Sequence, residues 1–571
     1  MKDRIKPILI KENITMREAM RVIEIGPQND LYPSPAGIAL IVDENDRLLG
    51  GITDADIRKA ILGGFSLDTP VYEIMRKKPL TVNAKNSPEE MIKTILDESK
   101  TKNIGGHKLD KITVVDDENK VIDVISFFEL WKDTEVKMRE VCIVGLGYVG
   151  LTLALVLADA GFKVIGIDKN EEIVSKLKKG EPHIHEVGLP SLLKHHINKN
   201  FFVNTELDKP SGEVYVITVN TPVDTNGQTI TSYLESALQS ISKVLKRNDL
   251  VILRSTVPVG TCREIAVPEL ERGSGLIAGK DFFLSFAPER TVEGKALEEL
   301  KSLPQIVGGF NKRSVELASR FFNTITNFIV PVSSLEVAEM VKLLNNTFRD
   351  LSFAYANEIA QICNGFNINS FEVINAANKG YPRDKIPTPS PGVGGACLTK
   401  DPYILTNSAK KVGLEIKLPV AGREINDEMI NFVVSRIDRF VAESNKNKPR
   451  HKIFVVGLAF KGYPETSDMR FSTSVRITKL LDQKYDVCVY DPVVSEEEIK
   501  KIGFNPVSIK KGFNNADCVL VLNNHPSFRN LDIHNLADLM NKPSFIFDGW
   551  NILSKDTIDN IEGITYGTFG L

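Results

Sequence analysis

Cysteine is scarce in this 571-residue chain: there are six, at 142, 262, 363, 397, 488 and 518, and none forms a C-x-x-C pair. That excludes a disulfide framework and a structural zinc site of known spacing, and it suits a reducing cytoplasm. Histidine is equally sparse. His183, His185, His195 and His196 fall close together but match no zinc template, and the pair inside SLLKHHINKN reads as a solvated helix face; no metal site is expected. The formal charge of -3 leaves no broad basic surface, which argues against a generic nucleic-acid or membrane binder. Long apolar runs are missing too. The most apolar stretch, Val141 to Ile167, is broken by Asp159, Lys163 and several glycines, so it reads as strand, tight turn and buried helix rather than a membrane span. MKDRIKPILIKENI carries charges through its short apolar patch, unlike a signal peptide. What remains, 42% apolar and 25% charged residues, is ordinary for a globular protein. The length calls for three or four domains.

Residues 1 to 135 contain a self-similar pair. IVDENDRLLGGIT, ending at Thr53, returns as VVDDENKVIDVIS, ending at Ser126, at an offset of 73. Each copy reads as strand, acidic turn, strand and then helix, and an earlier helix recurs as ITMREAMRVIE and SPEEMIKTILD. Two such units that bury a shared face make a small α+β domain. The pattern resembles a tandem CBS (Bateman) module. That resemblance implies a Thr/Ser-x-x-Asp element that holds a nucleotide ribose, kept as Thr53 and Asp56 in the first copy and altered to Ser126 and Glu129 in the second. An adenine nucleotide or nucleotide-sugar is the expected ligand, and a purely structural pairing module is the alternative.

After a polar linker at 132–138, Glu140 opens a strand that leads into Gly145-Leu146-Gly147-Tyr148-Val149-Gly150, an apolar helix, and a second strand ending in Asp168. The acid lies 18 positions beyond the last glycine, close to the roughly 20 of a dinucleotide fold. Pyrophosphate is expected on the helix N-terminus. Asp168 would bond the ribose hydroxyls and repel a 2′-phosphate, which favours NAD over NADP, although Lys169 beside it softens the choice. Strands and helices go on alternating, with a helix near Ser232 to Leu245. Thr221 and Thr256 end two of the strands, where they face a ligand or cap the next helix. DFFLSFAPERTVEG then carries Glu289, Arg290 and Glu293 into a loop.

From Ser334 to about Asn426 the period becomes helical. Glu339, Lys342 and Asn346 share one otherwise apolar face. They either meet a ligand, or Glu339 and Lys342 pair with each other. Near the end of this segment lies PGVGGACLTKDP. Glycines let a ligand approach the backbone closely, and Cys397 follows them directly. Asp401-Pro402 reads as an N-cap and first helical residue. A helix start and the nearby lysine are expected to lower the thiol pKa, whereas a turn with a buried cysteine is the bland reading. Beyond ESNKNKPRHK a second Rossmann-like pattern lacks the third glycine, which suits a mononucleotide.

These landmarks, in order, resemble the UDP-glucose/GDP-mannose dehydrogenase family over residues 138 to 571. They are GLGYVG, NTPV, STVPVGT, APERTVEG, AE-x-x-K-x-x-x-N, PGVGGACLTKDP, GLAFKG, DMRFS and YDP. APER and LPQIVGG are similar to the branch acting on UDP-N-acetylhexosamines. The resemblance implies two doubly wound Rossmann-like domains, at 138–330 for NAD and 431–571 for UDP-sugar. A central helical dimerisation domain at 331–430 joins them, and the α+β module precedes them at 1–135. It also implies a cytoplasmic enzyme that oxidises the sugar C6 alcohol to a uronate in two NAD-dependent steps, for polysaccharide or glycan synthesis.

In that scheme Cys397 is the nucleophile, and Lys342 and Asn346 steady the oxyanion. Asp401, Thr256 or Glu293 positions a base or water. NAD is expected at Gly145, Gly147, Tyr148, Val149, Gly150, Asp168, Thr221, Thr256, Lys400 and Arg470. UDP-sugar is expected against Gly392, Gly394 and Gly395, with Phe460, Lys461, Glu289, Arg290, Lys342 and Asn346. Arg383 matches an arginine supplied by a neighbouring subunit, so a homodimer or larger homo-oligomer is expected. UDP-glucose oxidation, or a catalytically silent nucleotide sensor, are the competing readings. Two departures stand out: Thr399 replaces a common proline, and the CBS pair is foreign to the usual architecture.

Overall fold

The structure, a computed structural model, describes residues 5–25, 37–86, 90–91, 94–95, 111–125, 140–207, 212–224, 226–326, 328–444, 448 and 450–570. Ser126, Glu129, the linker at 132–138 and most of the second-copy helix at 87–97 lie outside the described residues. The chain divides into two compact units, Met1–Arg139 and Glu140–Leu571.

In the first unit, β1 (Leu9–Lys11), β2 (Ile38–Val42) and β3 (Leu48–Thr53) form one sheet. The strands β4 (Thr81–Asn83), β5 (Ile112–Val115) and β6 (Val121–Ile125) form the other. Helix α1 (Met16–Ile25) precedes β2, and α2 (Asp54–Leu62) follows β3. The two hairpins repeat down to their irregularities. Their register breaks at Ile41/Val42 and at Val114/Val115, and their turns hold Asp46 at φ 60° and Asn119 at φ 61°. Asp and Asn tolerate that left-handed region better than most residues. The copies also interlock. Leu48 N–H donates to the Asn119 carbonyl at 2.9 Å, and Val121 N–H to the Asp46 carbonyl at 3.3 Å. Leu40, Val42 and Leu48 share a core with Val115, Val121 and Val124.

The second unit holds two sheets bridged by helices. The strands of the larger sheet are β7 (Glu140–Val144), β8 (Lys163–Ile167), β9 (Phe201–Asn204), β10 (Val214–Ile217), β11 (Leu250–Leu253), β12 (Phe283–Phe286), β13 (Gln305–Gly309) and β14 (Ile329–Pro331). They run in the order β14-β13-β12-β11-β10-β7-β8-β9, parallel except between β12 and β13. Helix α3 (Tyr148–Asp159) is buried along most of its length, as an apolar helix between sheet and outer layer must be. The smaller sheet contains β15 (Lys452–Val456), β16 (Asp486–Tyr490), β17 (Asn505–Pro506), β18 (Cys518–Val521), β19 (Ser544–Asp548) and β20 (Ile564–Gly567). Its order is β17-β16-β15-β18-β19-β20, all parallel.

Three helices connect the lobes: the 32-residue α4 (Leu335–Phe366), α5 (Asp401–Lys411) and the 26-residue α6 (Leu418–Glu443). Ser334 caps α4 through the Val337 N–H, and Asn367 ends it at φ 55°. Helical structure is not continuous to Asn426: residues 379–399 contain no helix, because Pro382, Pro387, Pro389 and Pro391 break it. The helix predicted from Ser232 to Leu245 closes at Ser242.

Candidate active site

The dinucleotide turn is built by close approach. A Cβ on Gly150 would lie 1.8 Å from the Gly145 carbonyl oxygen, so the helix packs on the turn only without a side chain there. A Cβ on Gly147 would meet nothing within 4 Å. The turn is therefore closed toward the protein and open at the N-terminus of α3, where helix N–H groups favour an anion. Asp168 accepts from the N–H of Leu146 at 2.8 Å and of Asn170 at 2.9 Å, which fixes the carboxylate beside the turn. The Tyr148 hydroxyl donates to Glu186, which also accepts from the N–H groups of Gly294 (2.7 Å) and Ala296 (2.9 Å). Burial raises the Glu186 carboxyl from its usual range.

Cys397 lies where both lobes and the central helices meet. Asn346 of α4 donates to Asp401, and Lys400 Nζ reaches the other Asp401 oxygen at 2.8 Å. Asp401 is fully buried. Lys342, one turn before Asn346, is only 8% exposed and has no hydrogen-bond partner among the described residues. Glu339 does not pair with it. That carboxylate accepts instead from the N–H groups of Gly260 (2.6 Å) and Cys262 (2.8 Å), so the ion-pair alternative is excluded. From the smaller lobe, the Phe460 ring lies where a Cβ on Gly395 (φ +88°) would sit, 2.9 Å away.

Two sequence expectations need correction here. Helix α5 starts at Asp401 with Lys400 as its N-cap, one residue earlier than expected. The thiol pKa is also raised rather than lowered. Burial pushes it up and Asp401 adds to this, while Lys342 and Lys400 pull it down and Glu293 pushes up again. Cys397 is nonetheless the one cysteine of six that is exposed. A sulfur on the floor of an open cleft is reachable from solvent and still hemmed in by protein.

A second group faces the sulfur across the lobes. Lys461 Nζ donates to the Glu293 carbonyl at 2.6 Å, and Thr466 to its carboxylate at 3.2 Å. Arg470 forks onto Asp468 and lies 3.9 Å from Glu293. Burial and the Asp468 charge raise Glu293 to about 7, against the pull of Arg470 and Lys461. Burial lowers Lys461 to about 8.

Several expected ligands are committed elsewhere in this structure. Glu289 is buried against Arg254, and its other oxygen accepts from the N–H groups of Arg290 and Thr291, both at 2.8 Å. Burial works to raise its carboxyl, but Arg254 holds it below the usual range. Arg290 donates to the Pro304 carbonyl, and the Thr221 hydroxyl to the Thr256 carbonyl, so neither threonine caps a helix. Arg383 is exposed and bonds the Tyr381 hydroxyl at 2.9 Å. His196 is buried, not solvated: it meets Asn200 at 2.8 Å and Asp159 at 3.5 Å. No group of three metal-ligating side chains gathers among the described residues. No described helix is long and apolar enough to cross a membrane. In the first unit, Asp56 accepts from the Thr53 hydroxyl (2.6 Å) and from Arg76 (2.6 and 2.8 Å).

Sequence comparison supplies the identity. The NAD binding domain of the UDP-glucose/GDP-mannose dehydrogenase family matches residues 139–326, its central domain 336–428 and its UDP binding domain 454–555. The chain belongs to that family. NAD is its cofactor, and the open α3 turn with Asp168 beside it fits that dinucleotide. CBS domains match residues 2–63 and 71–130. The chain is 34% identical over 436 residues to a UDP-N-acetyl-D-mannosamine dehydrogenase of Methanococcus vannielii, covering 74% of this chain and 96% of the relative. Its homologue from Campylobacter jejuni is 34% identical over 404 residues, covering 69% and 97%. The solved UDP-D-ManNAc dehydrogenase of Pyrococcus horikoshii superposes with a TM-score of 0.68 at 32% identity, covering 75% of this chain and 99% of that one.

Glu186, Arg254, Asp468 and Thr466 organise the site without having been singled out as site residues. Asp468 stood inside a quoted motif. Glu186 stood beside the histidines that were set aside, and no local pattern marks it.

Proposed function

We propose that the chain is a UDP-N-acetylhexosamine 6-dehydrogenase, acting on the mannosamine or glucosamine nucleotide and producing the uronate for polysaccharide or glycan synthesis in the cytoplasm. The observation that carries this reading is the convergence of Lys342, Asn346, Lys400 and Asp401 on the exposed Cys397. When bound, NAD⁺ accepts one hydride from C6 in each of two oxidations. The chain's own groups do the rest. The Cys397 thiolate adds to the C6 aldehyde, forming a C–S bond and a thiohemiacetal oxyanion that Lys342 steadies. Loss of the second hydride leaves a thioester. Water then adds to it, giving up a proton to a base, and collapse breaks the C–S bond to release the acid and restore the thiolate. Glu293, raised to about 7, suits that base near neutral pH. Phe460, Lys461 and the glycine loop hold the nucleotide-sugar, and Arg383 reaches it from a second subunit of a homodimer. Thr53 and Asp56 serve an adenine-nucleotide or nucleotide-sugar site in the CBS unit, where the ribose replaces Arg76.

Incubation with UDP-N-acetylmannosamine, UDP-N-acetylglucosamine and UDP-glucose tests the reading. One acetylated sugar should yield two equivalents of NADH. A yield of one, or normal uronate production by Cys397→Ser, rejects the thioester route.

A further inference from the structure

We propose that the main-chain N–H groups of Cys397 and Leu398 form an oxyanion site, with Arg423 and Thr399 as positioning residues that aim it. The proposal rests on the thiol-based reading above. The loop is fastened by its carbonyls. The Ser390 hydroxyl donates to the Gly392 carbonyl at 3.0 Å, and the buried Arg423 guanidinium to that of Val393 at 3.2 and 3.3 Å. The Thr399 hydroxyl donates to the Gly395 carbonyl at 2.8 Å. The Cys397 carbonyl accepts from the N–H of Lys400 at 3.2 Å and of Asp401 at 2.9 Å.

The opposite edge is bare. No N–H from Gly392 to Thr399 has an acceptor among the described residues. In a trans peptide the N–H points away from the carbonyl it is bonded to, so fastening the carbonyls inward turns the donors outward. Backbone donors in a folded interior are rarely left unpaired, and a run of them makes a concavity for negative charge. The bonds to the Cys397 carbonyl show that a helical turn begins at Cys397 and is interrupted only at Pro402, which lacks an N–H. Leu398 is then an orphan donor of a first turn. A helix start alone would say little. The independent observation is Lys342, nine-tenths buried and without a hydrogen-bond partner among the described residues, near enough to act on the same sulfur.

The chemistry places an anion there twice. When sulfur adds to the aldehyde, the carbonyl π pair moves onto oxygen. When water adds to the thioester, the same oxygen becomes negative again, until collapse returns an electron pair to sulfur. In both species O⁻ is two bonds from Sγ, within reach of the nucleophile's own main chain, as in acyl-transfer enzymes.

Replacing Leu398 by its α-hydroxy acid keeps the side chain and removes one N–H. With UDP-N-acetylmannosamine or UDP-N-acetylglucosamine, whichever turns over, kcat should fall by about 100-fold. The thermal midpoint and the NAD affinity measured by calorimetry should hold. Thr399→Val should lower kcat by about tenfold with both KM values unchanged, and Thr399→Ser should restore it. A Leu398 analogue within about threefold of the parent, while intact-mass spectra still show the sugar adduct on Cys397, overturns the oxyanion site and leaves the thiol reading standing. So does a Thr399→Val loss that serine fails to restore. Absence of any adduct in the parent enzyme overturns the thiol reading itself.

Discussion

Glu293 is the residue whose ionisation most directly links fold and chemistry. Its carboxyl rises from the ordinary 4.5 to about 7, because the lobes remove it from water beside Asp468. A raised acid favours the neutral form in the folded state. Its contribution is therefore fully present below pH 4.5 and is lost as pH rises toward 7, at a cost of up to about 3 kcal/mol. Glu293→Gln stays neutral throughout. Its thermal midpoint should exceed the parent's at pH 8, with the gap closing toward pH 5; an equal gap at both would contradict this. If Glu293 takes the proton from water, kcat of the parent should also rise through about pH 7, and the glutamine variant should lose that inflection. Cys397, Lys342, Asn346 and Asp401 were legible in the sequence because their spacing along one helix and one glycine loop is local. Arg254 and Asp350 were not. Their partners are 35 and 73 positions away, and one charged residue in a chain with 74 acidic and 71 basic ones carries no pattern of its own.

At the scale of elements, α4 and α6 are joined by a polar clamp rather than by apolar packing alone. Arg423 donates to Asp350 at 2.7 Å, and Asn426 donates to the same carboxylate at 2.9 Å. Asn357 donates to Asn426 at 2.8 Å and accepts from the Ser390 N–H at 2.8 Å. The clamp thus reaches from the helix pair to the base of the Cys397 loop. Arg423→Met leaves the fully buried Asp350 without its counter-charge and should cost about 3–5 kcal/mol, read as a lowered thermal midpoint. Adding Asp350→Leu should recover much of that loss, since a well-filled apolar pair often matches a buried ion pair. A double variant no better than the single would show that the helices need the charge itself. Apolar periodicity announced α4, and strand-turn-helix alternation announced both Rossmann-like lobes. The break at 379–399 was legible in its prolines, yet the helical period on either side masked it.

At the scale of the molecule, α4 presents two unlike faces. One carries Lys342, Asn357 and Asp350 into the interior. The other exposes Leu344 (57%), Phe348 (70%), Tyr355 (52%), Ile362 (52%) and Phe366 (76%). An apolar stripe of that length on a helix calls for a partner surface, and a second copy of the chain fits the proposed homodimer. Arg383, exposed and stacked on Tyr381, then gains its role only from the neighbouring subunit. Complementation tests this without depending on a monomer that stays folded. Cys397→Ala and Arg383→Ala should each be inactive alone. If Arg383 acts across the interface, mixed dimers contain one site with an intact thiol and an intact arginine. In an equal mixture half the dimers are mixed and half of their sites are whole, so activity should return to about a quarter of the parent's. If Arg383 serves its own subunit, each mixed dimer places the two defects in separate sites. The mixture then stays inactive, and the arginine's role across the interface is refuted.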